Sequence, residues 1–229
     1  MTSLEIPLAP ACAPSPNSRS QPQPSAPPRG LVVGIAGGSA SGKSSLASHL
    51  AETLGPAHCA VLAQDRYYRD HPRLSPTESC QLDYDHPNAI ESALLLNHLQ
   101  LLRQGREVEV PNYDYATHRR APHVTRLKPT PILIIEGLFV LADARLRRAL
   151  DLKIFVHTAS DLRLLRRIKR DTTERGQSLA EVLERYETRV RPGHERHVAP
   201  SRRHADLIWD QDNDESFPDR LLARLRQSP

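Results

Sequence analysis

The stretch GGSASGKSS, residues 37–45, decides how this sequence folds. It matches the spacing G-x-x-x-x-G-K-[ST], with the fixed positions filled by Gly37, Gly42, Lys43 and Ser44. The run LVVGIA before it is typical of a short buried strand, and the run SLASHLAETL that begins at Ser45 places its leucines on one helical face. Strand, glycine loop and helix in this order indicate a phosphate-binding loop.

The chemistry of such a loop follows from its backbone. Successive N–H groups point into one concavity, and the N-terminus of the following helix adds partial positive charge. Lys43 then reaches the β- and γ-phosphates of a nucleoside triphosphate, and the Ser44 hydroxyl is a ligand for Mg²⁺. We therefore predict that the loop binds the triphosphate through Gly37, Gly38, Ser39, Ala40, Ser41, Gly42, Lys43, Ser44 and Ser45.

Length and composition set the limits of the prediction. A chain of 229 residues suits one α/β domain with a small insertion, and a hydrophobic content of 38% is adequate for its core. The net charge is +4, but basic and acidic residues are interspersed, which disfavours a nucleic-acid binder. The three cysteines lack metal-site spacing, and no apolar run reaches the roughly 20 residues that span a membrane. We expect a cytoplasmic protein.

The N-terminal segment differs from the rest of the chain. Residues 1–29 hold eight of the 20 prolines, with serine, alanine and glutamine between them. Such a segment has no apolar face to bury, so we predict a disordered tail at 1–29 and a folded domain at 30–229. A docking role for this tail remains as an alternative.

Beyond the loop, strand-like and helix-like runs alternate. We predict buried strands at 31–36, 59–63, 131–135, 152–156 and 205–209. We predict helices at 45–54, 88–104, 140–150, 161–171, 179–191 and 216–226. Residues 107–115 and 124–127 favour a β-hairpin with its tip near 116–121. The predicted class is α/β: a P-loop NTPase three-layer fold with a parallel sheet, helices on both faces, a β-hairpin insertion and an arginine-rich helical lid.

Two carboxylates follow predicted strands. Asp65 comes after the second strand and Glu136 after the third. Because ligands of such sheets lie beyond the carboxyl ends of the strands, both acids are candidates for the site. A carboxylate there can hold Mg²⁺ or take a proton from an attacking hydroxyl. One acid for the metal and one for the acceptor is what a small-molecule kinase requires.

A basic helix is predicted at 161–171. Arg163, Arg166, Arg167 and Arg170 fall at i, i+3, i+4 and i+7 and share one face. Such a row can close over a transferring phosphoryl group, so we interpret the helix as a lid. A second basic run, HERH at 194–197, lacks the spacing of a zinc motif and is predicted to lie on the surface.

Most aromatic residues lie between the second and third predicted strands. Tyr67, Tyr68, Tyr84, Tyr113 and Tyr115 occur there beside the polar groups of Asp83, Asp85, His86, Asp114 and His118. Flat rings with nearby donors and acceptors suit an acceptor that has a base and a sugar. Ordinary packing of tyrosines in a core is the alternative.

At this point the chain resembles a known family. The ordered segments GIAGGSASGKSS, QDRYYRD, DYDHPNAI, PNYDYATHR, IIEG, DLRLLRRIKRDTTERG and PSRRHADLI resemble those of the uridine kinase (uridine–cytidine kinase) family, from about residue 30 to 208. The resemblance implies phosphorylation of the 5′-hydroxyl of uridine or cytidine, with ATP or GTP and Mg²⁺. It also implies a homo-oligomer, often a tetramer.

Roles for single residues come from the same resemblance. It implies that Asp65 is the general base and that the metal is held by Ser44, Glu136 and Asp65. It implies that the nucleoside is bound by Asp85, Tyr68, Tyr84, Tyr113, Tyr115 and His118. Arg167 and Arg170 would contact substrate and phosphates from the lid, and Asp214 would lie near the adenine.

The sequence departs from the family pattern in three places. Gln177 stands where an arginine is usual, Arg185 stands where a glutamine is usual, and residues 209–212 read WDQD instead of a Pro-Arg-Gly segment. The first two form a hypothetical compensating exchange within the substrate pocket. The third leaves the choice of donor open.

Two other functions remain as alternatives. A P-loop kinase for pantothenate or a phosphorylated pentose would share the layout, but the Tyr and His cluster at 113–118 disfavours it. A regulator that binds nucleotide without catalysis is disfavoured by the intact Lys43, Asp65 and Glu136.

Overall fold

The computed structural model describes residues 30–115 and 117–227. The predicted tail at 1–29 lies outside the described residues. Within them the order of elements is strand, helix, strand, then a helical and hairpin insertion, then further strands and helices. The alternation predicted from the sequence is therefore confirmed.

One five-stranded parallel sheet forms the centre of the fold. In the order β2-β5-β1-β6-β7, its strands are Cys59–Ala63, Ile132–Gly137, Leu31–Gly37, Leu152–His157 and Leu207–Asp210. Every neighbouring pair in this sheet is parallel. A separate antiparallel hairpin consists of β3 (Val108–Asp114) and β4 (Arg119–Leu127), so β4 begins within the stretch predicted as the tip.

Helices surround this sheet. They are α1 (Lys43–Leu54), α2 (Pro76–Cys80), α3 (Ser92–Arg103), α4 (Ala144–Arg148), α5 (Ser160–Thr173), α6 (Leu179–Arg185), α7 (Arg191–Gly193) and α8 (Phe217–Arg226). The chain stays helical from α6 to residue 204. Two π-helical turns, Tyr186–Val190 and His194–Val198, flank α7. A 3₁₀ segment, Ala199–His204, follows them. The helix predicted at 179–191 is thus the first part of a longer helical segment.

Alternation along the buried strands divides the core into two layers. On β1, Val33 and Ile35 face the side covered by α1 and α8, whereas Val32 and Ala36 face the side covered by α3 and α4. β5 alternates in the same way. Both faces of the sheet are therefore covered, as a parallel sheet requires, and the predicted three-layer α/β fold is confirmed.

Two predicted helices are shorter in the structure. The helix predicted at 88–104 begins at Ser92, because Pro87–Ala89 is a 3₁₀ turn and Ile90 is extended and pairs with Tyr68. The helix predicted at 140–150 is reduced to α4, which begins after Asp143 accepts a hydrogen bond from the Arg145 N–H. Its first apolar residues instead turn into the core.

Within the described ranges, none of the helices combines the length and the apolar composition needed to cross a membrane.

Candidate active site

The loop after β1 has the backbone geometry of a phosphate cradle. Gly42 has φ +86° and Ala40 has φ +59°, so the chain turns sharply twice before α1 begins at Lys43. The first turn of α1 contains no acidic residue. The N-terminus of α1 thus keeps its partial positive charge available for an anion.

Gly37 is needed because of close packing. A Cβ atom at this position would lie 2.5 Å from Ser41 Oγ and 2.8 Å from the backbone oxygen of Val156. Neither contact leaves room for a methyl group, and the second cannot be relieved without moving β6. The loop is therefore held closely against the strand next to β1.

A polar pair lies at the start of α1. The Ser44 hydroxyl donates to Glu136 Oε1 at 3.1 Å, and Glu136 is 6% exposed at the end of β5. Burial raises the pKa of the Glu136 carboxyl, and the nearby Lys43 ammonium opposes that shift. Glu136 Oε2 is buried and lacks a hydrogen-bond partner among the described residues.

This arrangement fits a magnesium ion. Mg²⁺ takes few protein oxygens and completes its shell with water and substrate phosphates. A hydroxyl, a carboxylate and an unpartnered buried oxygen are such a donor set. The described residues contain no cluster of three or more His, Cys, Asp or Glu side chains that could hold a metal by themselves.

Asp65 lies in a 3₁₀ turn directly after β2, Gln64–Tyr67. The register pairs Ala63 of β2 with Glu136 of β5, so both acids lie at the same edge of the sheet. The buried Gln64 Oε1 accepts a hydrogen bond from the Phe139 N–H at 2.8 Å and so ties the ends of β2 and β5 together. The sequence analysis gave Gln64 no role, because a contact across 75 residues leaves no local signal.

A cavity opens beyond this edge. It is lined by many of the predicted site residues: Ser39, Lys43, Asp65, Tyr68, Tyr84, Asp85, Tyr113, Tyr115, His118, Arg167, Arg170, Gln177 and Arg185. Arg175 also lines it, which the sequence analysis did not predict. Three residues proposed for the triphosphate, Ser39, Lys43 and Arg170, thus share one space with those proposed for the acceptor.

The aromatic side chains form one wall of that cavity. Tyr68 contacts Tyr84 and Tyr113 at ring-centroid distances of 5.0 and 5.2 Å, and His118 stacks on Tyr84 at 4.9 Å. Tyr115 adjoins Tyr113 at 5.5 Å. These rings border the cavity, although Tyr113 is buried and Tyr68 also packs against the hydrophobic core. Tyr67, the fifth tyrosine of the predicted cluster, is fully buried behind it and contacts His98.

Charged groups of this wall have shifted pKa values. Burial lowers the pKa of His118, as do Arg185 and Arg175, so the imidazole is neutral near pH 7. Burial raises the pKa of the Asp85 carboxyl, while Arg167 and Arg185 oppose that shift. A neutral ring that can donate and accept, in the same cavity as the Asp85 carboxyl, suits a polar uncharged ligand.

The Tyr115 hydroxyl lies against Asp65. Burial, and then the Asp65 carboxylate, raise the pKa of Tyr115. The hydroxyl therefore stays protonated and donates to the carboxylate. This contact holds Asp65 at the mouth of the cavity.

Asp171 organises the cationic side of the site. It is 0% exposed and lies 3.2 Å from Arg167, 2.8 Å from Arg170 and 3.4 Å from Arg175. Arg167 Nη1 also donates to Ser39 Oγ at 2.9 Å, so α5 touches the phosphate loop directly. The sequence analysis missed the role of Asp171, although its spacing of four from Arg167 on the predicted helix is a signal of such a pair.

The predicted arginine row divides in two. Arg167 and Arg170 face the cavity, but Arg163 is buried behind the loop, where it donates to the Thr158 carbonyl at 3.2 Å, and Arg166 bonds to Gln211. Half of the row therefore supports the loop and does not line the cavity. The interpretation of all four arginines as one lid face is wrong, because α5 lies along the loop.

Three further residues lie away from that cavity. Asp214 is ion-paired with Arg220 at 2.6 Å, and Ser45 is exposed on α1; neither lines the cavity. His194 was predicted to lie on the surface, yet its Nδ1 is buried without a hydrogen-bond partner among the described residues, and its ring lies against Gly38. The surface prediction is wrong for His194, while Glu195 and Arg196 are exposed as expected.

The two exchanged residues share the cavity. Gln177 and Arg185 both line it, and Gln177 Oε1 is buried without a hydrogen-bond partner among the described residues. A buried acceptor without a partner costs free energy unless a ligand supplies a donor. The geometry therefore agrees with the hypothesis that the pair acts in one pocket.

Comparison with known proteins gives three findings. Residues 32–216 match the sequence model described as the phosphoribulokinase/uridine kinase family. The uridine kinase of Chloroflexus aurantiacus is 42% identical over 179 residues, which cover 78% of this chain and 86% of the relative. The uridine kinase of Klebsiella pneumoniae is 44% identical over 182 residues, which cover 78% of this chain and 85% of the relative. The phosphoribulokinase structure from Rhodobacter spheroides is similar with a TM-score of 0.58 at 16% identity, over 81% of this chain and 73% of that one.

Proposed function

The chain belongs to the phosphoribulokinase/uridine kinase family, and from this premise we propose that it transfers a phosphoryl group to the 5′-hydroxyl of uridine or cytidine. The products are UMP and CMP, which places the enzyme in pyrimidine salvage. The donor is ATP or GTP with Mg²⁺. The observation that carries this proposal is the single cavity in which Lys43 and Asp65 meet a wall of tyrosines and a neutral histidine.

The donor end of the reaction is the loop and the start of α1. Backbone N–H groups and Lys43 bind the β- and γ-phosphates. Ser44 and Glu136 would hold Mg²⁺, which would offset the negative charge of the phosphates. The unpartnered Glu136 Oε2 supports this assignment.

Asp65 is proposed as the general base. It lines the cavity next to Lys43 and receives a hydrogen bond from Tyr115, which orients its carboxylate. From there it takes the proton of the 5′-hydroxyl as that oxygen attacks the γ-phosphate. Phosphoryl transfer passes through a loose transition state, so positioning and charge stabilisation supply most of the rate.

The nucleoside is proposed to lie along the aromatic wall. Its base packs against the wall formed by Tyr68, Tyr84, Tyr113 and Tyr115, and His118 hydrogen-bonds to a polar edge of the pyrimidine. Asp85 accepts hydrogen bonds from the ribose hydroxyls. Stacking against rings gives affinity for a planar base, and the polar groups give its orientation.

Arg167, Arg170 and Arg175 are proposed to stabilise the charge of the transferring group. Asp171 holds all three near the loop before any substrate binds. Because they are already positioned, they need not reorganise during the reaction, which is the condition for effective electrostatic catalysis.

Gln177 and Arg185 are proposed to contact the nucleoside as an exchanged pair. If they compensate for each other, Arg185→Gln alone raises the KM for uridine, and the double exchange Gln177→Arg/Arg185→Gln lowers it again. Unchanged kcat and KM in the Arg185→Gln variant would contradict the proposed compensation between Gln177 and Arg185.

Two properties follow from the family alone. We propose that the enzyme is a homo-oligomer, most simply a tetramer, and that it acts in the cytoplasm. Sedimentation of the full chain tests the first of these.

A panel of acceptors tests the function. The purified chain is incubated with ATP and Mg²⁺ and, separately, with uridine, cytidine, adenosine, pantothenate or a phosphorylated pentose. We expect rapid formation of UMP or CMP and little product from the other three. Product from pantothenate or the pentose alone would contradict the acceptor assignment, and ATP binding without any product would favour a silent regulator.

A further inference from the structure

A second groove lies behind the aromatic wall, on the side of the sheet covered by α3 and α4. Its volume is about 530 Å³, and it is bounded by the turn before α3, by α4 and by the helical segment around residues 196–204. Five arginines line it, Arg69, Arg145, Arg147, Arg196 and Arg203, together with His197 and His204. Asp143 is the only carboxylate among its lining residues, all of which the structure describes.

The arginines of this groove are poorly neutralised. Asp143 pairs with Arg145 at 2.9 Å. Among the described residues, no carboxylate lies within ion-pair distance of Arg69, Arg147, Arg196 or Arg203. With the histidines neutral, the five arginines and Asp143 give the lining of the groove a formal net charge of +4. The formal net charge of the whole chain is also +4.

Two of the guanidinium groups are held in place by backbone oxygens. Arg147 Nη1 donates to the carbonyls of Leu141 and Ala142, both at 2.8 Å, and Arg69 Nε donates to the carbonyl of Asn88 at 3.0 Å. These contacts are neutral, so they fix the position of the side chain without cancelling its charge. The remaining N–H groups of each fork are free to bind an anion at little entropic cost.

The two histidines of the groove have lowered pKa values. Burial lowers the pKa of His204, as do Arg147 and Arg203. Burial also lowers the pKa of His197, as do His86 and Arg196, while Asp83 opposes the shift. Burial is the largest cause of both shifts, and arginines of the lining add to each of them.

We propose that this groove is a binding site for a polyphosphate group, either the triphosphate of a nucleotide or an inorganic polyphosphate. Its volume is within the range of small-ligand pockets, about 300–1,000 Å³. Arginine forks match phosphate oxygens in pairs, and several forks around one space suit a ligand with several phosphates. Apart from the histidines, the lining of the groove contains one aromatic residue, Phe139, and it is buried. The groove therefore lacks the stacking surface that single-stranded nucleic acid requires.

The groove shares a wall with the candidate active site. Ile90 and Phe139 line both spaces. Phe139 is also the residue whose N–H binds Gln64, next to Asp65. A ligand in the groove therefore contacts side chains that also border the acceptor cavity, and its site lies outside the phosphate loop.

Calorimetric titration of the full chain with tripolyphosphate tests the proposal. We expect two sites per chain, one at the phosphate loop and one in the groove. The Lys43→Ala variant should lose the first site. The Arg196→Gln/Arg203→Gln variant should keep the first site and bind at the second at least about tenfold more weakly, since it loses two guanidiniums that can form charge-assisted hydrogen bonds.

The matched control removes the same charge elsewhere. Arg106 and Arg148 are exposed and do not line the groove, and Arg148 lies on the same helix as Arg145 and Arg147. The Arg106→Gln/Arg148→Gln variant should keep both sites. A single site in the native chain, or an equal loss in the groove and control variants, would overturn the proposal.

A comparison of ligands identifies the source of the phosphate. In the Lys43→Ala variant, tighter binding of ATP than of tripolyphosphate at the remaining site assigns the groove to a nucleotide. Equal binding assigns it to the polyphosphate chain alone. Binding of a polyglutamate peptide in place of both would overturn the proposal, because the site would then recognise acidic protein.

Discussion

At the scale of single residues, the site depends on one buried carboxylate. Asp171 is fully buried and within 3.4 Å of three guanidinium groups, of which Arg167 is itself only 7% exposed. A buried cation without its counter-ion is costly, because neither water nor a second charge compensates it. Asp171 thus positions the arginines and does not itself line the cavity.

The Asp171→Asn variant removes this charge at nearly constant volume. We expect a loss of about 3 kcal/mol in the free energy of unfolding and a kcat lower by at least tenfold. Urea denaturation and steady-state kinetics measure both. Asp161→Asn, in the exposed first turn of the same helix, is the control; equal effects of the two variants would argue against an anchoring role for Asp171.

His194 makes stability depend on pH. Burial, and then the nearby Arg163, lower its pKa to about 4, against about 6.5 in an unfolded chain. Between these values the unfolded state binds more protons than the folded state, so stability falls as the pH falls from about 6.5 toward 4. The loss is at most about 3 kcal/mol, at 1.36 kcal/mol per pKa unit.

The His194→Gln variant should therefore flatten the acid limb of the stability curve. Urea denaturation at pH 7.5, 6 and 5 measures the slope. His49→Gln, an exposed histidine on α1, should leave the slope unchanged. A His194→Gln variant with the slope of the native chain would show that His194 titrates normally.

At the scale of elements, the phosphate loop is shaped by its neighbours as much as by its own glycines. Gly37 packs on β6, Gly38 on Arg163 of α5, and Gly42 on the Gln211 side chain that follows β7. The loop conformation is therefore a property of three elements together. Substitutions at these glycines should act on activity before they act on overall stability.

The Gly37→Ala variant tests this dependence. Its added methyl would meet Ser41 Oγ and the Val156 carbonyl, so we expect kcat/KM for ATP to fall by about 100-fold or more. Gly55→Ala is the control, because Gly55 has φ +82° but nothing within 4 Å of a Cβ atom. That variant should cost about 1–2 kcal/mol of stability and leave kcat/KM unchanged. Equal losses of kcat/KM in the two variants would mean that the backbone freedom of glycine, and not close packing, explains why residue 37 must be glycine.

The ends of two helices show where local patterns mislead. Leucines at helical spacing predicted that a helix begins at residue 88, but Ile90 is extended because its backbone pairs with Tyr68. The predicted helix at 140–150 includes two residues of the apolar stretch 139–141. In the structure this stretch is buried in the core, and Arg147 donates a hydrogen bond to the Leu141 carbonyl. In both places a tertiary contact outweighs helix propensity.

At the scale of the whole molecule, the sheet brings the two acids together. Strands of a parallel sheet end at a common edge, so Asp65 after β2 and Glu136 in β5 could be predicted to lie at the same edge; that their strands are neighbours is seen only in the structure. The phosphate loop could be predicted because all its residues are contiguous. The fold class followed from the alternation of strands and helices.

Other parts of the site could not be read from local patterns. The contact of Arg167 with Ser39 joins residues 128 apart, and the Gln64 contact with Phe139 joins residues 75 apart. The division of the arginine row depends on which side of α5 meets the loop. The groove behind the aromatic wall consists of segments that are adjacent only after folding.

The central claim is that Asp65 activates the 5′-hydroxyl of a pyrimidine nucleoside at the end of this sheet. The most direct measurement is the rate of UMP formation from uridine and ATP by Asp65→Asn, with ATP affinity measured on the same sample. Asp70→Asn, an exposed acid five residues on, is the control. The account predicts a rate lower by about 10²–10⁴ with ATP binding intact and a control like the native chain. A variant that retains most of its turnover would contradict it.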